Sequence, residues 1–346
     1  MSASKSLTVL ECGPDPTTTG GMASVLSEYA RFEYAGLRIR IASTWWPNSP
    51  FRTLGGFLKS AALVLLTPGI DVIHVHISEG GSFLREGSLL RLARMRGRPT
   101  IATLHGADFE KFARRHPRFV RTVLSQASVV VCLGIQTERQ VSKLLPHART
   151  EILLNPVEVH RRPTTGLSTR RVLFAGEVGE RKGFDRLLRA WRLVHTAVPD
   201  AQLIVCGPLA AGWSPPIEQD GVQYLGDVSR DVVRQELSAA RAACLPSRRE
   251  VLPMFILEAV SSGVPVVATR TGEWESLAGC PAIRWVANDD RDALMIADEL
   301  TLLLKSDDAD VRVAGQDWVD AHCSPDVIAE KLFRISNSLV RGRTSV

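Results

Sequence analysis

The sequence predicts an α/β protein of two Rossmann-like domains, each a doubly wound parallel sheet, facing each other across a cleft. Three observations predict this fold. Strand-like apolar runs alternate with helix-like stretches along the chain, which is the pattern of right-handed βαβ units. A polar segment, Arg161–Arg171, interrupts the alternation near the middle. The 346 residues, 45% of them hydrophobic, suffice for two cores.

The pattern of residues 1–160 predicts an N-terminal domain, with a strand at each apolar, β-branched run and a helix between successive strands. In chain order the predicted strands are LTVLEC, LRIRIAS, DVIHVHIS, PTIATLHG and SVVVCLG, with EILLNPVEV as a last strand or a connection. The predicted helices are MASVLSEYARF, LGGFLKSAALVLLTP, LLRLARMRG and the FVRTVLSQA region. Ligands are expected at the carboxyl ends of the strands.

Residues 161–325 predict a second domain of the same design. Its strands are RVLFAGE, AQLIVCG, the short VQYLGD, AACL, VPVVAT and AIRWVAN. Its helices are GFDRLLRAWRLVHTAV, VSRDVVRQELSAA, PMFILEAVSSG and RDALMIADELTLLLK. The amphipathic tail, residues 326–346, predicts a helix that packs back toward the N-terminal domain.

Composition argues against several classes of protein. The chain has no run of about 18 uncharged apolar residues, so we expect no membrane-spanning helix. Its most hydrophobic segment, FLKSAALVLL, is too short and contains Lys59. The six cysteines have no paired spacing, which indicates reduced thiols rather than disulfides or a zinc site. Since the N-terminus also shows no cleavable signal pattern, we expect a cytoplasmic protein.

Positive charge is concentrated in the first half of the chain. Residues 1–158 hold 19 Lys and Arg against 12 Asp and Glu, whereas the remainder holds 23 against 25. Such an excess suits an anionic membrane surface, a phosphorylated acceptor or nucleic acid, or it simply reflects solvated helix faces. Most of it lies in two clusters, Arg85, Arg91, Arg94, Arg96 and Arg98, and Lys111, Arg114, Arg115, Arg118 and Arg121.

The most informative stretch is residues 242–274. It predicts a strand, a charged loop, a helix between Pro253 and Gly263, and a second strand. The free N–H groups at the start of such a helix, beside the carboxyl end of a strand, form an anion site. Glu250 in the loop and Glu258 in the helix are placed to accept hydrogen bonds from sugar hydroxyls. The alternative for either residue is a solvated surface acid.

Two turns between a strand and a helix carry further candidate residues. Gly20 and Gly21, after the first strand, let backbone N–H groups approach a phosphate or a sugar closely, and the alternative is a plain tight turn. Arg181 and Lys182, just before Gly183, suit a pyrophosphate at the start of the next helix, and the alternative is a solvated loop.

Histidines line or end two strands of the first domain. His74 and His76 share one face of a strand, and because no third ligand stands at a suitable spacing we expect packed histidines and no zinc site. His105 ends a strand at the predicted cleft, where it suits sugar contact or proton handling. Asp108 is a possible partner or acceptor base, and we place Asp108 and His76 on the acceptor side.

Four motifs together resemble the family 4 glycosyltransferases, the retaining, group 1 type with the two-domain GT-B fold. They are TTTGGMASV, TLHGADF, ERKGFDRLL and PSRREVLPMFILEAVSSGVPVVAT, which occur in the family's order and at its rough spacing. The resemblance covers residues 7–335 approximately and is most specific in the last third of the chain.

The resemblance implies catalytic roles for Glu250, His105 and Lys182. Glu250 would contact hydroxyls of the donor sugar beside the reacting carbon, His105 would contact the same sugar, and Lys182 would bind donor phosphate. The implied donor-binding set also includes Gly20, Gly21, Arg181, the backbone N–H groups of Met254, Phe255 and Ile256, and Glu258, which would bind the ribose.

Three positions depart from the family pattern. Gly176–Glu177–Val178 stands where many members have Gly-Arg-Leu, and Arg181, which would replace that Arg, lies four residues later. Val251 stands where a glycine usually follows the first Glu, which puts the backbone geometry there in question. Asn155–Pro156 replaces a common Asn-Gly.

The resemblance implies a metal-independent, retaining hexosyltransferase that uses a nucleoside-diphosphate sugar and needs no cofactor. The basic first domain favours a glycan or glycolipid acceptor at the anionic inner face of the cytoplasmic membrane, as in cell-surface polysaccharide biosynthesis, and no nucleic acid. Two alternatives are a GT-B protein that is not a transferase, such as a nucleotide-sugar epimerase, and a non-catalytic nucleotide-sugar-binding scaffold, suggested by Glu177 and Val251.

Overall fold

A computed structural model describes residues 6–34, 36–161, 170–214, 219–289, 292–306 and 308–344. The chain divides into two compact units, of which unit 1 comprises Met1–Val157 and His322–Val346, and unit 2 comprises Glu158–Ala321. The sequence placed the corresponding boundaries after residues 160 and 325. Most of the predicted linker, residues 162–169, lies outside the described residues.

Unit 1 is built on a parallel sheet. Its described strands are β1 (Leu7–Pro14), β2 (Leu37–Trp45), β3 (Val72–Ile77), β4 (Thr100–Leu104), β5 (Val129–Cys132) and β6 (Thr150–Ile152), in the order β2-β1-β3-β4-β5-β6. The helices between them are α1 (Gly21–Tyr29), α2 (Pro50–Leu66), α3 (Gly81–Met95), α4 (Phe109–Arg115), α5 (Pro117–Leu124) and α6 (Ile135–Leu144).

The central strands of unit 1 are buried along their whole length, which accounts for their nearly continuous apolar sequences. Leu10, Ile73, Phe83 and Leu89 belong to one core cluster, which packs helices such as α2 and α3 against the sheet. Strand order reverses between β1 and β3. Doubly wound sheets bind ligands at such a switch point, outside the carboxyl ends of the strands.

Unit 2 repeats this design. Its described strands are β7 (Arg171–Ala175), β8 (Gln202–Cys206), β9 (Val222–Gly226), β10 (Ala242–Leu245), β11 (Val266–Thr269) and β12 (Ile283–Val286), in the order β12-β11-β10-β7-β8-β9. The helices are α7 (Phe184–Ala197), α8 (Arg230–Ala239), α9 (Met254–Ser261), α10 (Trp274–Leu277), α11 (Asp292–Lys305) and α12 (Ala309–Cys323). The last helix, α13 (Pro325–Thr344), belongs to unit 1 and contacts β1.

The core of unit 2 is organised around Trp191 of α7, which is fully buried. Its indole N–H donates to the carbonyl of Asp220 at 3.0 Å, so the buried polar atom is satisfied. Phe174 and Phe184 pack with ring centroids 5.0 Å apart. The switch point of this sheet lies between the parallel neighbours β7 and β10.

The predicted architecture of two Rossmann-like parallel-sheet domains is confirmed. Four helices, α4, α6, α10 and α12, were not predicted from the sequence. The reason is clearest for α6, whose sequence IQTERQVSKL is mostly polar and buries only Thr137 and Val141. Among the described helices, none has the length and apolar character that a membrane span requires.

Candidate functional site

Two loops meet at the carboxyl edge of the unit 2 sheet. Because β7 and β10 are parallel neighbours, residues 176–183 and 246–253 leave the sheet side by side. Gly183 precedes α7 in a left-handed conformation, with φ of 69°. A Cβ at Gly183 would lie 1.8 Å from the carbonyl oxygen of Pro246, so only glycine permits this approach.

The close approach of the loops brings Lys182 to Glu250. The ammonium Nζ of Lys182 lies 2.5 Å from Oε1 of Glu250, and the hydroxyl of Ser247 donates to the same oxygen at 2.9 Å. Nη1 of Arg181 lies 3.7 Å from it. The side chains of Lys182 and Glu250 are only 15% and 10% exposed, so this charge-assisted contact is largely shielded from water.

Arg248 ties the same two loops together. Its guanidinium donates to both carboxylate oxygens of Asp185 at 2.6 and 2.7 Å, and to the carbonyl of Glu180 at 2.6 Å. Burial raises the pKa of Asp185, but the hydrogen bonds and charge of Arg248 outweigh burial and lower that pKa below its ordinary value. A bidentate pair has a fixed geometry, so Arg248 holds the turn with Lys182 beside the loop with Glu250.

Val251 does not need the conformational freedom of glycine. Among the described non-glycine residues only Asn48 has a positive φ. The carbonyl of Val251 accepts a hydrogen bond from the N–H of Glu273 at 2.8 Å. Gly272 packs behind this segment, where a Cβ would lie 2.3 Å from the carbonyl oxygen of Glu250. The loop geometry therefore accommodates a side chain at position 251.

The start of α9 directly follows this loop. The side chains of Met254, Phe255 and Ile256 are buried, so these residues offer a ligand only their backbone. The N–H of Ile256 donates to the carbonyl of Pro253 at 3.2 Å. Glu258 lies one turn further along the helix and is half-buried. The arrangement suits an anion, because the helix dipole and its first N–H groups point toward the loop.

A small recess of about 10 Å³ adjoins Glu250, and part of its wall is aromatic. Trp274 and Trp285 contribute to the lining, with ring centroids 6.0 Å apart in an edge-to-face arrangement. The indole N–H of Trp285 is buried and has no hydrogen-bond partner among the described residues. Aromatic rings with a free donor are suited to a ligand that has both apolar faces and hydroxyl groups.

In unit 1, the loop after β1 is open to solvent. Gly20 precedes α1 with φ of 126°, a conformation that favours glycine. No atom of the described residues lies within 4 Å of a Cβ built at Gly20 or Gly21, and both residues are exposed. The backbone of this turn is therefore accessible from solvent.

His105 follows β4 and is the outermost of three polar side chains that contact one another in a row leading into the interior of unit 1. Its Nε2 lies 2.9 Å from Nδ1 of His76, and Nε2 of His76 lies 2.8 Å from Oε2 of Glu11. His105 is half-buried, whereas His76 and Glu11 are fully buried. Burial, followed by the neighbouring imidazoles of His76 and His74, holds the pKa of His105 well below its ordinary value.

The structure corrects one prediction about these histidines and confirms another. His76 was placed on the acceptor side, but it is 0% exposed and contacts His105 and Glu11 instead of solvent. His74 and His76 are packed in the interior, as expected, and Glu11 is a third polar group beside them that their spacing in the sequence did not reveal. Glu11 was missed because it lies on β1, far away in the sequence, and only the pairing of β1 with β3 brings it beside His74.

Asp108 precedes α4 at the same carboxyl edge as His105. Its backbone N–H donates to Oε1 of Glu79 at 2.6 Å, and the hydroxyl of Ser78 donates to Oε2 of Glu79 at 2.8 Å. The carboxylate of Glu79 also lies against Gly106, where a Cβ would be 2.2 Å from Oε1. Glu79 thus anchors the segment that carries His105 and Asp108, a role that sequence reasoning did not identify.

Of the predicted site residues, Arg181, Lys182 and Glu250 come together in unit 2, beside the start of α9. Gly20, Gly21, His105 and Asp108 belong to unit 1. Sequence reasoning missed Ser247, Arg248 and Asp185, although Arg248 lies in the charged loop SRRE that it singled out.

The chain matches two family models. The Glycosyl transferase 4-like domain matches residues 12–156, and Glycosyl transferases group 1 matches residues 169–306. Together the two matches cover most of both units.

Individual relatives are more distant. TuaC of Bacillus subtilis, whose name assigns it provisionally to glycosyl transfer in teichuronic acid biosynthesis, is 24% identical over 68% of this chain and 61% of its own length. A Corynebacterium glutamicum GDP-mannose-dependent monoacylated α-(1-6)-phosphatidylinositol monomannoside mannosyltransferase is 31% identical over 46% of this chain and 44% of its own. This chain therefore spans less than two thirds of the length of either relative.

Among solved structures, Anabaena Alr3699/HepE in complex with UDP and glucose superposes with a TM-score of 0.69 at 15% identity, covering 96% of this chain and 100% of that chain. At this identity the likeness establishes the fold alone. The matches to both family models, with motifs in the same order, establish the family. The chain belongs to the group 1, family 4-like glycosyltransferases.

Proposed function

We propose that this protein is a retaining glycosyltransferase that moves a sugar from a nucleoside-diphosphate donor to a hydroxyl acceptor. The proposal rests on the contact of Lys182 with Glu250. The two residues lie on neighbouring loops, and the loop with Glu250 leads directly into α9. A cation and a carboxylate at one sheet edge, beside the N-terminus of a helix, are groups that suit a sugar diphosphate.

In this proposal the donor diphosphate lies against the N-terminus of α9, with Lys182 and Arg181 neutralising its charge. Lys182 has three N–H donors, so it can bind phosphate while keeping its hydrogen bond to Glu250. Two cations and a helix dipole compensate a diphosphate without a metal, and transfer would be metal-independent. Glu258 would bind the ribose, and Trp274 and Trp285 would border the sugar.

During transfer the bond between the anomeric carbon and the diphosphate oxygen breaks, and its electron pair leaves with the nucleoside diphosphate. The acceptor oxygen forms its bond to the same carbon from the same face, which retains configuration. The acceptor proton passes to the departing phosphate. Glu250 would stabilise the positive charge that develops on the sugar, and Lys182 the negative charge on the leaving group. His105 would contact the donor sugar, and the exposed backbone at Gly20 and Gly21 would approach the donor phosphates and the acceptor.

We further propose that the acceptor is a glycan or glycolipid at an anionic cytoplasmic membrane surface, which α2 contacts. Phe51, Leu54, Leu58 and Leu66 lie three, four and eight residues apart along α2, yet they are 57–88% exposed. The exposed Arg91 and Arg94 of α3, which packs beside α2, and the basic residues of α4 and α5 add positive charge. An apolar stripe flanked by cations is typical of helices that lie in a membrane interface.

The proposed reaction is tested by incubating the protein with UDP- and GDP-sugars, with and without lipid extracts, and by comparing two variants. Glu250→Gln keeps an oxygen that can accept from Lys182 but removes the charge that would stabilise the cationic sugar, so turnover should fall ~100-fold while nucleoside-diphosphate affinity is retained. Lys182→Met removes a phosphate ligand, so that affinity should fall ~10- to 100-fold. Lys305→Met, at an exposed position on α11, serves as the charge-matched control.

Three outcomes are distinguishable in this experiment. Transfer products whose anomeric configuration matches the donor support the proposal. A changed sugar formed from the donor alone would instead indicate an epimerase. Tight donor binding with neither transfer nor hydrolysis, for every acceptor tried, would indicate a scaffold protein.

Membrane contact is tested by sedimentation with vesicles of phosphatidylglycerol or phosphatidylcholine. The wild type should bind the anionic vesicles, and salt should weaken binding. Phe51→Ser with Leu58→Ser should release the protein, whereas Leu294→Ser with Leu302→Ser on α11, which are 60% and 62% exposed, should not. Equal release by both pairs would contradict the assignment to α2.

A further inference from the structure

The buried cluster of Glu11, His74 and His76 lies on the face of the unit 1 sheet that α1 covers. β1 and β3 are adjacent, with Glu11 in register with His74, and His76 two residues further along β3 on the same face. All three side chains are 0% exposed. The ring of Tyr29 from α1 packs 6.0 and 5.5 Å from the imidazoles of His74 and His76, which closes the cluster off.

Two atoms of this cluster are unsatisfied. Oε2 of Glu11 lies 2.8 Å from both Nδ1 of His74 and Nε2 of His76, but only the contact with His76 has hydrogen-bond geometry. Nδ1 of His74 and Oε1 of Glu11 therefore have no hydrogen-bond partner among the described residues. Leaving such groups unpaired in the interior is costly, and a carboxylate costs more than a neutral group.

The outer nitrogens of both imidazoles are already occupied. Nε2 of His74 lies 2.6 Å from the hydroxyl oxygen of Thr103, and Nδ1 of His76 lies 2.9 Å from Nε2 of His105. If the inner nitrogens bear no proton, the outer N–H groups donate to these two acceptors. Histidines that bind metals are oriented in this way, because the second nitrogen donates to a neighbouring acceptor.

We propose that Glu11, His74 and His76 bind a first-row divalent metal ion, with Zn²⁺ as the best fit to two imidazoles and a carboxylate. Their three ligand atoms lie within 4.8 Å of one another. Tetrahedral zinc with bonds of about 2.0–2.2 Å separates its ligand atoms by about 3.4 Å, so Glu11 needs to withdraw by roughly half an ångström from each nitrogen. The ion would satisfy the unpaired Nδ1 of His74 and compensate the charge of the buried carboxylate.

The ion would be structural, because its three ligands are buried. It is not needed to neutralise the donor diphosphate, since Arg181 and Lys182 of unit 2 would do that. Through His76 it would also fix the orientation of His105. The proposal is independent of the transfer reaction, since it concerns the interior of unit 1 and is measured without any sugar substrate.

The test is metal content after refolding. Protein freed of any affinity tag is unfolded with a chelator, refolded with Zn²⁺ or Co²⁺, desalted and analysed by mass spectrometry for metals. We expect about one ion per chain. Glu11→Gln should reduce the metal content to background, while His147→Asn, an exposed histidine of the same unit, should leave it unchanged.

A milder variant separates metal binding from folding. Thr103→Val removes only the acceptor for the outer N–H of His74, so metal affinity should fall ~10- to 100-fold in a folded protein. X-ray absorption of the wild type at the zinc edge should show nitrogen and oxygen ligands without sulfur. Wild type that retains no ion after refolding, full occupancy in Glu11→Gln, or sulfur ligation would each overturn the proposal.

Discussion

Replacing Gly183 by alanine should loosen the contact on which the unit 2 site depends. Two costs add at this position. A non-glycine residue in the left-handed region costs roughly 1–2 kcal/mol. A Cβ only 1.8 Å from the carbonyl oxygen of Pro246 must also push two backbone segments apart by more than 1 Å, because ordinary contacts begin beyond 3 Å. We assign this overpacking a further ~2 kcal/mol, so the whole substitution costs about 3–4 kcal/mol.

Gly212→Ala is the matched control. Gly212 also has a positive φ, of 81°, and lies in unit 2, but no atom of the described residues lies within 4 Å of the position that its Cβ would take. It should therefore show the conformational cost alone, about 1–2 kcal/mol. At ~2–4 °C per kcal/mol, the melting temperature should fall several degrees further for Gly183→Ala than for Gly212→Ala.

The same substitution should weaken ligand binding, because Lys182 and Glu250 lie on the two segments that move apart. Thermal unfolding and calorimetric titration with UDP and GDP measure both effects on the same samples. Gly183→Ala should bind the nucleotide at least ~10-fold more weakly, equivalent to about 1.4 kcal/mol, and Gly212→Ala should bind normally. Equal melting temperatures and equal affinities for the two variants would refute the reasoning.

Three further predictions concern the same loops. Asp185 has a lowered pKa in the folded protein, so the stability that its charge contributes is present above its unfolded pKa and is lost as pH falls through the folded value. The urea midpoint of Asp185→Asn should therefore fall less between pH 7 and about pH 3 than that of the wild type. Parallel plots of urea midpoint against pH for the two proteins would argue against the pair of Asp185 with Arg248. Val251→Gly should lower stability by ~0.5–1 kcal/mol in chemical unfolding without raising turnover, and a gain in either would show that the loop needs glycine. Arg181 is 38% exposed and 3.7 Å from Glu250, so Arg181→Met should weaken nucleotide binding in calorimetry by less than Lys182→Met does, and the reverse order would make Arg181 the principal phosphate ligand.

The fold could be predicted from sequence because its central strands are buried on both faces. Runs such as VVVC in β5 have no polar interruption, and their regular alternation with helices leaves few other topologies. Helix α6 escaped prediction for the opposite reason, since a helix that buries only Thr137 and Val141 carries almost no apolar period.

For the site, local sequence identified residues that lie near the ends of strands but not the partners that position them. Lys182 and Glu250 stand in recognisable turns, whereas their contact depends on the pairing of β7 with β10. Arg248 and Asp185 are likewise 63 residues apart. Glu11 carried one readable signal, because an acid within the apolar run LTVLECG is unusual and predicts a buried partner. Identifying that partner required the register of β1 and β3.

The assignment of α13 to unit 1 has a consequence for how the chain is made. Unit 2 is continuous in sequence, from Glu158 to Ala321, and can complete its sheet as soon as it leaves the ribosome. Unit 1 emerges earlier but lacks its last helix, whose Phe333 contacts Tyr34 with ring centroids 5.9 Å apart. The earlier unit is thus finished after the later one. In a nascent chain halted before α13, the part of unit 1 around β1 that α13 covers would be exposed. Chaperones bind such exposed apolar surface, so we expect them to bind this intermediate.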